Sequence, residues 1–154
     1  MNQQLPCIIG IDPGKKGGIA SIRIDGALID FIPMCEAFQL ANYLSKKEIL
    51  RCYVERCQAM PSQGVSSMFT YGVGYGKILG VLETLKISHD TIQPQKWQRK
   101  MIPRCKKGET KKEALLKATQ LFPHSTFILD GCRVAHDGIV DAVLIAEYGR
   151  GLHV

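Results

Sequence analysis

The chain lacks any apolar run long enough to cross a bilayer, and its opening, MNQQLPCIIGID, lacks the charged start and cleavage site of a secretory signal. A soluble, intracellular protein is the expectation, with no membrane partner. No CxxC pair occurs among the six cysteines (7, 35, 52, 57, 105 and 132), and several of them sit in apolar, strand-like runs. Free buried thiols in a reducing compartment therefore fit better than a disulfide framework. Zinc has little support, because Cys105, Cys132 and His136 lack a ligand-like spacing. No internal repeat and no linker interrupts the 154 residues, which predicts one domain over 1–154. With 45% hydrophobic and 22% charged residues, the composition is that of a globular protein rather than a disordered one.

What the chain does have is an uneven charge. Of the net +6, residues 96–117 (KWQRKMIPRCKKGETKKEALLK) hold nine Lys/Arg against two Glu, so the remainder is close to neutral. A concentrated positive stripe without an apolar face points to a polyanion, nucleic acid before membrane. A solvated basic loop is the plainer alternative.

The apolar patterning predicts strands at 7–12, 17–24 and 27–33. The first two are joined by the Pro-Gly-Lys-Lys turn at 13–16, and the last two by Asp25-Gly26. A helix is expected over 36–48, a strand over 51–56, a loop at 59–63 and a long helix over 64–85, whose glycines at 72, 74, 76 and 80 leave room for a close neighbour. HDTIQP (89–94) reads as a short edge strand stopped by Pro94. TKKE opens a helix from Thr110 to Phe122 as a capping box, 123–135 is loop, and the last helix starts near His136. That order gives an α/β fold with a mixed five-stranded sheet, three antiparallel strands followed by parallel ones, and helices on both faces.

The acidic residues carry the chemistry. Asp12 ends the first strand and Glu55 the fourth, each behind a buried run; if the two strands are parallel neighbours, their acidic ends meet. Asp137 and Asp141, four apart in HDGIVDAVLIAEY, share one face of an otherwise apolar helix that can reach the same rim. Four converging carboxylates repel unless a cation lies between them, and hard divalent ions such as Mg²⁺ or Mn²⁺ suit all-oxygen sites. Two such ions would support phosphodiester hydrolysis. Each acid taken alone is an ordinary cap or surface charge; the joint placement favours metal.

Three ordered motifs, IIGIDPGKKGGIA, YVERCQAMPSQG and HDGIVDAVLIAEY, resemble those of RuvC-type Holliday junction resolvases in the RNase H-like superfamily. QPQKW and LFP are similar to its phage and organelle branches. The resemblance implies an RNase H-like fold and a homodimer that cuts four-way DNA junctions with two Mg²⁺ or Mn²⁺ ions per active site. It implies work in the cytoplasm of a bacterium or phage-infected cell, or in an organelle matrix. Asp12 and Glu55 would be central ligands, with Asp137 and Asp141 completing the site. Many bacterial members space the last pair by three, where this chain has Gly138, so either Asp137 or His136 is the third ligand; Asp137 shares the face of Asp141. His136 would otherwise steer the leaving group or begin the helix. Where some relatives wedge an aromatic into the junction, this chain offers Met60, or Phe69 in its place. Lys111 and Lys112 match phosphate-holding lysines, and Lys15, Lys16 and Lys77 are further phosphate candidates. Trp97 is open to base stacking or to core packing. The alternatives are a related nuclease acting on flaps, branched replication DNA or RNA–DNA hybrids, or a catalytically silent junction-binding adaptor.

Overall fold

The structure, a computed structural model, describes residues 5–58 and 61–154. Five strands, β1 (Cys7–Asp12), β2 (Gly18–Arg23), β3 (Leu28–Pro33), β4 (Ile49–Glu55) and β5 (His89–Ile92), form one sheet in the order β3-β2-β1-β4-β5. β1, β2 and β3 pair antiparallel, and β4 runs parallel to both β1 and β5. This is the expected mixed sheet. The β1–β4 crossover carries α1 (Ala37–Leu44), and the β4–β5 crossover carries α2 (Val65–Thr84), as parallel neighbours require.

Strand alternation divides the core in two. Cys7, Ile9 and Ile11 of β1, with Ile19, Cys52 and Val54, pack with Leu40, Leu44, Ile78 and Leu82 of α1 and α2. Ile8, Ala20, Ile22 and Tyr53 face the opposite way, against α3 (Pro94–Met101), α4 (Thr110–Leu121) and α5 (Asp137–Arg150). Helices therefore cover both faces. α5 is the central one, with ten of its 14 residues buried across β1, β2 and β4. All six thiols are free, and among the described residues no helix is long and apolar enough to cross a membrane.

α5 lies very close to the sheet because glycines line the contact. A methyl on Gly10 would overlap the Ala142 carbonyl oxygen and the Ala146 nitrogen, and would lie 2.9 Å from Ala146 Cα. At the other end of the contact, Gly17 bridges Gly138, and a methyl on Gly18 would stand 2.8 Å from the Gly138 carbonyl oxygen. The start of α5 is thereby held against the turn that follows Asp12.

Three local expectations are corrected. Pro94 does more than stop β5: its fixed φ and missing N–H suit the first turn of α3, a helix of mostly polar residues that buries Trp97 and Met101 one turn apart. TKKE is not a capping box, because Thr110 is already the first helical residue and Glu109 makes no side-chain cap. The box is instead at α1, between Glu36 and Gln39, and that helix ends at Leu44 rather than continuing to Glu48. The room at the α2 glycines stays open: among the described residues nothing lies within 4 Å of a methyl built at Gly72, Gly74, Gly76 or Gly80.

Candidate active site

Asp12 and Glu55 come together through strand parity and register. In the parallel β1–β4 ladder Ile11 lies beside Val54, so the next residue on each strand is one of the two acids. Both alternate onto the face that α5 covers, since Ile11 and Val54 belong to the opposite core. The turn after β1 fixes Asp12 further: the Gly14 amide donates to Asp12 Oδ1 at 3.2 Å, and Gly17 N donates back to Gly14 O at 2.7 Å.

From the other side, α5 presents Asp137 in its first turn and Asp141 one turn later. Asp12, Asp137 and Asp141 line one cavity of about 430 Å³ together with Lys16, Lys111, Cys132 and His136. Glu55 is not in this lining, but it is close enough for charge to act between it and both Asp12 and Asp141. Burial is the main cause that pushes the Asp12 and Glu55 carboxyls up. Asp141 is pushed up to about 7, first by burial and then by the charges of Asp12, Glu55 and Asp137. The cluster therefore carries more negative charge than its own surroundings neutralise.

Besides the Gly14 amide on Asp12, two of the four acids have side-chain partners. Trp97, fully buried in α3, donates its indole N–H to Glu55 Oε2 at 2.6 Å. Lys111, at the start of α4, donates to Asp137 Oδ2 at 2.6 Å. With these contacts in place, no three His, Cys, Asp or Glu side chains among the described residues stand in ion-coordinating positions. The donor set nevertheless fits a hard divalent cation: four neighbouring carboxylates, three of them raised by burial and two of those also by the repulsion of their neighbours, with oxygen as the donor throughout.

The other candidates divide. His136 begins α5: its Nδ1 accepts from the Ile139 amide at 3.2 Å, which leaves it at the cavity wall as a helix cap. Lys111 reaches the acids, whereas Lys112, though exposed next to it, makes no salt bridge with them among the described residues. Lys15, Lys77 and Phe69 line a different cavity of about 670 Å³ between the β1–β2 turn, α1 and α2. Phe69 there is 73% exposed, and Lys77 Nζ lies 3.9 Å from Glu36 Oε2. Met60 lies outside the described residues. The bond from Trp97 to Glu55 has no counterpart in the sequence reading; its one signal was a lone tryptophan set one turn from Met101 behind a helix-opening proline.

The sheet order and the helices on both faces define an α/β fold of the RNase H-like class. Solved structures similar to this chain include two of RuvC from Thermus thermophilus. One, in complex with a Holliday junction substrate, has a TM-score of 0.67 at 15% identity and covers 96% of this chain and 95% of that one. A second RuvC structure has a TM-score of 0.66 at 14% identity, with coverage of 96% and 95%. The fold is thus that of RuvC along nearly the whole chain. No protein-family model and no curated protein matches the sequence.

Proposed function

We propose that the chain is a single-domain, metal-dependent endonuclease that resolves four-way DNA junctions as a homodimer. The observation that carries this reading is the convergence of Asp12, Glu55 and Asp141, with Asp137 beside them, on a rim next to the basic segment. The RuvC fold supports it, since one of the similar structures holds a Holliday junction substrate. A protein that only bound DNA would gain nothing from placing four carboxylates where a phosphate must approach.

In this reading Asp12, Glu55, Asp137 and Asp141 hold the cations, and the indole N–H of Trp97 orients Glu55 by occupying one of its oxygens. Bound there, a pair of Mg²⁺ or Mn²⁺ ions would supply water activation and stabilisation of the departing 3′ oxygen. Lys111 is placed to meet the phosphate from the exposed start of α4. The open α2 glycine face and exposed Phe69 are the surfaces left for the second copy or the junction. Two copies about a two-fold axis would cut opposing strands symmetrically.

The test is a cleavage panel of labelled four-way junctions, flaps, duplexes and RNA–DNA hybrids, run with Mg²⁺, Mn²⁺ or EDTA. Paired symmetric nicks in the junction, abolished by EDTA and restored by excess Mg²⁺, are expected. Cutting that survives chelation would refute the metal site; metal-dependent cutting of flaps or hybrids in preference to junctions would refute the substrate.

Trp97→Phe keeps most of the packing and removes the donor to Glu55. Turnover on the junction is expected to fall roughly 10- to 100-fold, the usual scale for a group that orients a metal ligand. Circular dichroism should show the fold retained. Unchanged turnover would mean that Trp97 only fills the core.

A further inference from the structure

Among the described residues, Lys111 is the one cation bonded to an acid of the site, and its partner Asp137 sits at the mouth. The pair is accessible, with side chains 78% and 57% exposed, so water screens it and little holds it closed. Asp12 and Asp141 line the same cavity, His136 caps the helix that bears Asp137, and Lys16 lines the wall from the β1–β2 turn. Lys112, the neighbouring charge, has no such bond.

We propose that Lys111 is an exchangeable counter-ion: its ammonium occupies the Asp137 carboxylate until a divalent cation displaces it, and the released side chain then meets the DNA phosphate. The inference rests on the metal-dependent reading of the site and adds an order of events to it. Asp137 Oδ2 cannot serve the ammonium and a metal ion at full strength together. Lysine carries a compact charge on a flexible four-carbon stem, so it can leave the carboxylate without moving α4. Cation binding would then do two things at once, completing the acidic site and freeing a positive group next to it. Metal and DNA would each bind more tightly in the presence of the other, because linkage between two ligands is reciprocal.

The experiment measures Mn²⁺ binding by electron paramagnetic resonance, without DNA, for the full chain and for Lys111→Met and Lys112→Met. Removing the competitor is expected to tighten Mn²⁺ roughly threefold in Lys111→Met, the order of effect that an exposed ion pair allows. Lys112→Met, which removes the same charge from the next position, should leave Mn²⁺ affinity close to that of the unaltered chain. A second measurement compares junction affinity with and without Ca²⁺. The gain on adding Ca²⁺ should shrink in Lys111→Met. Equal Mn²⁺ affinity in all three proteins, or an equal shift in both variants, would overturn the exchange. Absence of Mn²⁺ binding by the unaltered chain would instead overturn the metal-dependent reading beneath it.

Discussion

Asp12→Asn is expected to lower junction cleavage by roughly three orders of magnitude or more, the upper scale for loss of one charge-stabilising group in an active site. Asparagine keeps the shape of aspartate and keeps an oxygen that can accept from the Gly14 amide, so the turn after β1 should be preserved. What it loses is the charge, at the residue whose carboxylate acts on both Glu55 on the neighbouring strand and Asp141 on α5. Removing that charge relieves repulsion, so thermal stability should hold or rise slightly. Junction binding should likewise hold or tighten, since one fewer carboxylate faces the phosphates. Activity lost without stability lost is the signature expected of a catalytic acid. Undiminished cleavage would eliminate the mechanism.

Gly10→Ala should produce the largest change in stability. The added methyl meets backbone atoms of Ala142 and Ala146, which cannot rotate away as a flexible side-chain end could. α5 would have to lift from the centre of the sheet, and the cost is expected at the upper end of the range for overpacking, about 3 kcal/mol. For a chain of this size that lowers Tm by roughly 6 to 12 °C. Activity should fall with it, because Asp141 adjoins the displaced Ala142. Gly72→Ala is the contrast: among the described residues nothing lies within 4 Å of its added methyl, and the helix gains on the order of 1 kcal/mol in propensity. Thermal unfolding of the two variants should therefore move in opposite directions. Equal Tm values for Gly10→Ala and the unaltered chain would contradict the close α5–sheet contact.

Local patterns carried much of the architecture. The hairpin at Asp25-Gly26, the two crossover helices and the buried strands each have a signal within a few residues, and the sheet order follows from them. The acidic rim was legible for a similar reason. A charge at the end of a buried run states where its strand stops, and a four-residue spacing states that Asp137 and Asp141 share a helix face. What escaped depends on partners far apart in sequence. Trp97 meets Glu55 across 42 residues, and Lys111 meets Asp137 across 26, and neither contact leaves a periodic trace. α3 was missed because its polar residues resemble a solvated basic stretch, and only Trp97 and Met101 turn inward. Nothing in CIIGID marks Gly10; only the approach of α5 gives it a reason to be glycine.

The most direct measurement is an anomalous difference map from crystals of the unaltered chain soaked in Mn²⁺. The account predicts two peaks about 4 Å apart, bounded by carboxylate oxygens of Asp12, Glu55, Asp137 and Asp141, with Lys111 withdrawn from Asp137. A map with no peak at this rim, or with Mn²⁺ bound only at unrelated surface carboxylates, would contradict it.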